Sequence, residues 1–356
     1  MSATLSDADA LALLEGLVRI PSVSSEEEAA VTWLVDRMAA LGLRAERDTA
    51  GNAVGVKGDG PHQIVLLGHI DTVPGVVPVR RENGRLYGRG SVDAKGPLAA
   101  FACAAARASL PPGWQLVVIG AVEEEAASSK GAHYAADRYC PAMCVIGEPS
   151  AWDRVTLGYK GRLLMRYTLR QPMAHTAGQA TAPAEVAVQF WNEVAALCAR
   201  FNEGRVRVTD QASPSLRSIH TDSDGLSDGV AMTVGVRLPL DLPPDALAAQ
   251  LTPLAGAAEL VFSGHETAYR ADKNTPLARA FLQAIRAEGG TPAFKTKTGT
   301  SDMNVVGPVW RCPIVAYGPG DSALDHTPHE HVDMDEFLRA VRVLTSVVED
   351  LPSVEE

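Results

Sequence analysis

The sequence predicts an α/β protein with a smaller α+β domain inserted into it. Three observations carry that expectation. The chain is long, at 356 residues; its first part has apolar runs bounded by Gly or Pro around an alanine-rich stretch; and the texture changes near Gly161 and changes back after about Arg270.

Single hydrophobic cores stop growing at roughly 250–300 residues, so two domains are expected. The boundaries read as 1–160 with 270–356 for the larger domain and 161–269 for the insert. With 46% apolar and 21% charged residues there is ample material for a core, and disorder is excluded. A net charge of −11 excludes a nucleic-acid partner, whose phosphates demand clustered Lys and Arg. No apolar run approaches the roughly 20 residues of a bilayer span, so no membrane is expected. The opening MSATLSDADA has neither the basic nor the apolar region of a signal peptide, and the expected location is the cytoplasm. Cys103, Cys140, Cys144, Cys198 and Cys312 form an odd set without CxxC spacing, mostly among apolar neighbours, and read as buried free thiols.

Taking the elements in order, Ser25 followed by Glu28 has the spacing of a capping box. It opens a helix whose apolar stripe is Val31, Leu34, Val35, Met38 and Leu41 and which stops at Gly42. Ile64–Leu67 and Leu116–Ile119 read as buried strands around the helix-prone stretch Leu98–Ser109. Arg80, Arg81, Arg85 and Arg89 then form a local basic run, either a solvated loop or a site for an acidic partner. In the insert Met165, Tyr167 and Leu169 alternate with Arg166, Thr168 and Arg170, as in a strand with one wet face. A helix over Pro183–Cys198, a strand over Val230–Leu238 and a helix start at Pro243 and Pro244 complete it. The α/β texture resumes with a helix over Pro276–Glu288, a strand over Ile314–Tyr317 and a last helix capped by Asp333 with Glu336.

Acids and imidazoles gather at the ends of these strands, where α/β sheets open onto ligand crevices. His69 and Asp71 follow IVLLG; residues i and i+2 of extended chain share a side, so Asp71 is expected to hydrogen-bond the His69 ring nitrogen turned away from a metal. Asp93 sits in a glycine-rich turn where backbone can approach an ion closely. Glu123, Glu124 and Glu125 follow LVVIGAV: three like charges that repel unless cations neutralise them, with a solvated acidic loop as the alternative. Glu148 ends AMCVIGEP, and Asp325 with His326 follows a Gly-Pro-Gly turn. Nitrogen and oxygen donors of this kind suit paired zinc ions, or cobalt in their place.

In this order and spacing HIDTVP, GRGSVDAKG, EEE with Gly131 downstream, GEPS and DHTPHEHV resemble the M20 metallopeptidase family over nearly the whole chain. The resemblance implies a di-zinc aminopeptidase/phosphorylase-like catalytic domain with a mixed sheet, a lid/dimerisation insert, and a zinc-dependent amidohydrolase acting on linear amides. It implies that His69 and Glu148 hold one divalent ion, that His326 and Glu125 hold the other, and that Asp93 bridges them. Glu124 becomes the general base and Asp71 its catalytic neighbour, and the family commonly has a cis peptide after the bridging aspartate, here Asp93–Ala94. QPMAHTAG resembles the lid segment whose histidine, here His175, steadies the oxyanion in the partner's site of a homodimer, although Ala174 departs from the usual Gly and a lid-surface role stays open. Lys160, Arg217, Arg237 and the turn Thr300, Ser301 and Asp302 fall in the family's substrate-binding regions, with a structural role equally open for Arg237.

The wording VEEEAASSKGA, GEPSAWDRVTLGYKGRL and KTGTSDMNVVGP resembles most the family members that release lysine or ornithine from an acidic amino-group carrier protein, the last step of carrier-linked lysine and arginine biosynthesis. The alternative is a small-molecule deacylase acting on acetylornithine or succinyl-diaminopimelate. Asn304, where desuccinylases usually carry an arginine, speaks against the last of these.

Overall fold

The computed structural model describes residues 5–175, 178 and 180–351. The chain divides into two compact units, one comprising residues up to Gly158, Ala271–Thr296 and Ser301 onward, the other Tyr159–Arg270 with Lys297–Thr300.

The first unit is built on a mixed sheet in the order Arg44–Arg47, Ala53–Gly58, Trp114–Ala121, His62–His69, Met143–Gly147, Ile314–Tyr317 and Arg154–Tyr159. Its four central strands, from Trp114–Ala121 to Ile314–Tyr317, run parallel. Their apolar runs are buried without alternation, as a sheet covered on both faces demands. The register brings their carboxyl ends level, with His69 opposite Ala121 and Gly68 and Tyr317 both opposite Gly147. Helix Lys95–Arg107 lies against the centre of this sheet and packs with helices Asp7–Val18 and Met334–Glu349.

The second unit is a four-stranded antiparallel sheet in the order Ser213–Ser223, Ser227–Leu238, Gly161–Pro172 and Glu259–Glu266. Leu163, Met165, Tyr167 and Leu169 alternate inward as expected and meet Phe190, Val194 and Cys198 of helix Pro183–Phe201. Residues Lys297–Thr300 join this unit, the Lys160 N–H bonding the Lys297 carbonyl.

Two local expectations are corrected. Ser25 does not cap the second helix: it has a positive φ, the helix runs Glu28–Ala40, and its first residue follows Glu27, whose carboxylate is used elsewhere. Of the cysteines, all free, Cys103, Cys144 and Cys198 are buried, but Cys140 is exposed and Cys312 half-buried. The Asp333 cap forms as expected, accepting from the backbone of Asp335 and Glu336. Among the described residues no helix is long and apolar enough to cross a membrane.

Candidate metal centre

The centre lies within the first unit, at the shared carboxyl end of the parallel strands. His69 closes its strand; Glu124 and Glu125 follow the strand ending at Ala121; Glu148 follows the strand ending at Gly147. Asp93 stands in the loop before helix Lys95–Arg107, and the Asp93–Ala94 peptide is cis. That loop needs glycine at Gly90, where φ is +83° and a Cβ would lie 2.9 Å from Thr72 Cγ2. Gly131, downstream of the glutamates, packs so close that a Cβ would fall 2.6 Å from the Val122 nitrogen.

Asp93 presents one oxygen to each histidine. Oδ1 is 3.2 Å from His69 Nε2, and Oδ2 is 3.0 Å from His326 Nε2. His326 Nε2 is also 2.7 Å from Glu125 Oε1. Two donors on one tetrahedral zinc lie about 3.3–3.5 Å apart; the two Asp93 separations fall within a few tenths of an ångström of that, while His326 and Glu125 are drawn into a shorter hydrogen bond. Donor atoms of His69, Asp93 and Glu148 lie within 4.8 Å of one another, as do those of Asp93, Glu125 and His326. Glu124 groups with His69 and Glu125 by the same measure, its Oε2 being 4.0 Å from His69 Nε2.

The electrostatics call for cations. Burial, with Asp302, Glu125 and Glu148 nearby, raises the Glu124 pKa well above the carboxylate range against the pull of His69. Burial and Asp93 raise Glu125 likewise, despite its bond to His326. His326 is raised to about 10 by its hydrogen bonds to Asp93 and Glu125. Asp302, 2% exposed, has neither oxygen hydrogen-bonded among the described residues; burial and Asp71 raise it to about 7. Carboxylates and imidazoles crowded out of water in this way form a donor set that fits divalent metal ions.

Buried acids outside this donor set hold its backbone. Asp71 meets the His69 ring as expected, on the nitrogen turned away from Asp93: Nδ1 is 3.4 Å from the Asp71 carboxylate and 3.0 Å from its main-chain oxygen. The same carboxylate also accepts the N–H groups of Glu124 and Glu125 and the Ser24 hydroxyl. Glu27 does the same for the Glu123 N–H at 3.1 Å. Glu123 itself turns to the Ser128 hydroxyl and Lys130. Glu27 and Glu330 were not singled out in the sequence, although Glu330 lies inside DHTPHEHV; Asp302 was expected, with Thr300 and Ser301, only as part of a specificity region, and the structure buries it beside Glu124.

The basic run is mostly spent on intramolecular pairs. Arg80 bonds Glu82 and covers the Tyr87 ring, Arg81 bonds Glu15, and Arg89 bonds the buried Glu330. His329 is exposed, and His331 is half-buried against Tyr87.

In the second unit Arg237 Nη1 donates to Thr300 Oγ1 at 2.9 Å, bringing two expected substrate residues together. Lys160 departs from its expected role: it is 2% exposed, and its ammonium is taken up by the Val208 and Gln211 carbonyls and the Ser213 hydroxyl. Burial and Arg237 lower its pKa to about 8. Arg217 is exposed beside a bulge in strand Ser213–Ser223. His175 is exposed, and its carbonyl accepts the Gly178 N–H; Thr176 and Ala177 lie outside the described residues.

Residues 65–350 match the family described as Peptidase family M20/M25/M40. The chain is 49% identical to a LysW-lysine hydrolase of Deinococcus radiodurans, covering 94% of this chain and 95% of that protein. It is 38% identical to a putative LysW-lysine/LysW-ornithine hydrolase of Thermococcus kodakarensis, over 99% of this chain and 95% of that one. Among solved structures, the M20 family metallo-carboxypeptidase Sso-CP2 of Sulfolobus solfataricus superposes with a TM-score of 0.78 at 16% identity, covering 96% of this chain and 98% of that chain. The chain belongs to peptidase family M20/M25/M40.

Proposed function

We propose that the protein is a metal-dependent amidohydrolase that releases lysine, or ornithine, from the glutamyl amide on an acidic carrier protein of the LysW kind. The observation that carries the chemistry is Asp93, whose two oxygens each face a different imidazole. The substrate rests on the 49% identity to the Deinococcus enzyme along almost the full length of both chains.

In this reading His69 and Glu148 would hold one ion and His326 and Glu125 the other, with Asp93 as a donor shared by both; zinc is the expected metal and cobalt a working substitute. Divalent ions held there would supply the Lewis acidity that lowers the pKa of a water and polarises the scissile carbonyl. Glu124 takes the proton from that water and delivers it to the departing amine, which lets the amide bond break. A carboxylate suits both halves of the transfer, and burial beside Asp302, Glu125 and Glu148 keeps the basicity of Glu124 high. Arg237 and Thr300, with Arg217, are assigned to the substrate, Arg237 to its carboxylate. His175 is assigned to the oxyanion of a partner subunit in a homodimer. The free cysteines support a reducing, cytoplasmic setting.

Asn304 supports the carrier-lysine reading over a desuccinylase, since it is neutral, 5% exposed, and spent on the Ser301 N–H at the helix start. The test is turnover by the metal-loaded protein of carrier-linked lysine, carrier-linked ornithine, acetylornithine and succinyl-diaminopimelate. A preference for either small acyl substrate over both carrier amides would overturn the assignment.

A further inference from the structure

Glu330 is fully buried, at 0% exposure, and is not among the donor groups of the metal centre. Its Oε1 accepts the backbone N–H of Val92 at 3.0 Å and of Asp93 at 3.1 Å. Its Oε2 accepts Arg89 Nη1 at 2.7 Å, and its main-chain oxygen accepts the Gly88 N–H at 3.3 Å. Arg89 is fixed in turn, Nε on the Gly75 carbonyl and Nη1 also on that of Thr327. Residues 88–93 are thereby sutured to residues 327–330.

The first segment ends in Asp93 and the second directly follows His326, and the side chains of these two residues meet at 3.0 Å. A buried carboxylate is costly unless fully paired, and Glu330 is paired by the Arg89 guanidinium and the N–H groups of Gly90, Val92 and Asp93, all from the Asp93 loop. We propose that Glu330, with Arg89 as its counter-charge, is a positioning residue that sets the backbone at Asp93 and so fixes both metal positions at once. The proposal rests on the metal-centre reading above. Because Asp93 offers an oxygen to each histidine, a shift of its backbone disturbs both donor sets together, whereas loss of a ligand such as Glu148 disturbs one first.

The test is calorimetric titration of zinc into the metal-free wild type, Glu330→Gln and Arg89→Gln, with cobalt absorption as a second readout and thermal melting of each metal-free protein. Gln keeps the shape of Glu330 and one acceptor oxygen but loses the charge that pairs Arg89. The expected result is two ions bound by wild type and a roughly 10- to 100-fold parallel loss of affinity for both in either variant. Turnover returns to within a few-fold of wild type once metal saturates, because neither residue touches the reacting atoms. Wild-type affinity in Glu330→Gln, weakening of a single ion, or a lowered melting point with unchanged affinity would each overturn the proposal. A wild type that binds no ion would remove the metal-centre reading and this proposal together, and the parent titration distinguishes that case before any variant is read.

Discussion

Asp71 holds Glu124 by its backbone: Oδ1 accepts the Glu124 N–H at 3.0 Å, while Oδ2 accepts that of Glu125 at the same distance. One carboxylate at 0% exposure therefore aims both the proposed base and a proposed ligand. In Asp71→Asn one acceptor becomes an NH2 donor facing an N–H. The expected outcome is a loss of roughly 10- to 100-fold in kcat/KM or metal affinity, measured by steady-state kinetics beside zinc titration. Parental values in both would show that this clamp is dispensable.

Replacing Glu124 with Gln preserves size and removes basicity. Turnover should fall by about 10²–10⁴-fold while two ions per chain are retained, as counted by atomic absorption after dialysis. If the variant loses metal in proportion to activity, Glu124 is a ligand rather than the base.

Metal uptake should release protons and weaken in acid. His326, raised to about 10 by Asp93 and Glu125, is protonated at neutral pH before an ion binds, and the ion must displace that proton. Titration in two buffers of different ionisation enthalpy measures the release, and affinity should climb with pH up to about 10. For the metal-free protein the sign is opposite. A histidine raised above its unfolded value stabilises fully below about 6.5 and loses that contribution as pH rises through 10. The melting point of the chelated protein should therefore fall across that window, and a rise there would contradict the His326 environment.

Subunit mixing tests His175. If it serves a partner's site in a homodimer, inactive His175→Ala and inactive Glu124→Gln, unfolded and reassembled together, should recover on the order of a quarter of wild-type activity, because half the dimers are mixed and each restores one site. No recovery from a mixture shown to exchange subunits would show that His175 does not serve the partner's site, and an active His175→Ala would place it outside catalysis.

Lys160 and Arg237 should separate stability from binding. Lys160→Met strands the Val208 and Gln211 carbonyls, so about 1–3 kcal/mol of stability should be lost in urea titration with KM unchanged. Arg237→Met should raise KM by roughly 10- to 100-fold with little loss of stability. The reverse pattern would exchange their roles.

Strand and helix periods were legible because they express local geometry: the parallel strands as unbroken apolar runs, the second unit's sheet as alternation. The donor candidates were legible because ligand chemistry restricts them to a few residue types, which recur here at strand ends. What misled was side chains whose role depends on a distant partner. Ser25 and Glu28 have capping spacing, yet the Glu27 carboxylate is drawn to the Glu123 N–H. Lys160 has the composition of a binding residue, yet strand Gly161–Pro172 starts beside it and carries its ammonium under the Val208–Ser213 segment.

By itself the sequence determined which atoms can bind a cation and which strands end beside them, since residue type and hydropathy period are local properties. Only the tertiary structure decided that Asp71, Glu27 and Glu330 spend their charge on backbone N–H groups of the centre, and that the arginines near Tyr87 neutralise their own neighbours. Burial and pairing between residues up to 241 positions apart, as for Arg89 and Glu330, are set by the packing of the whole unit and leave no local signature.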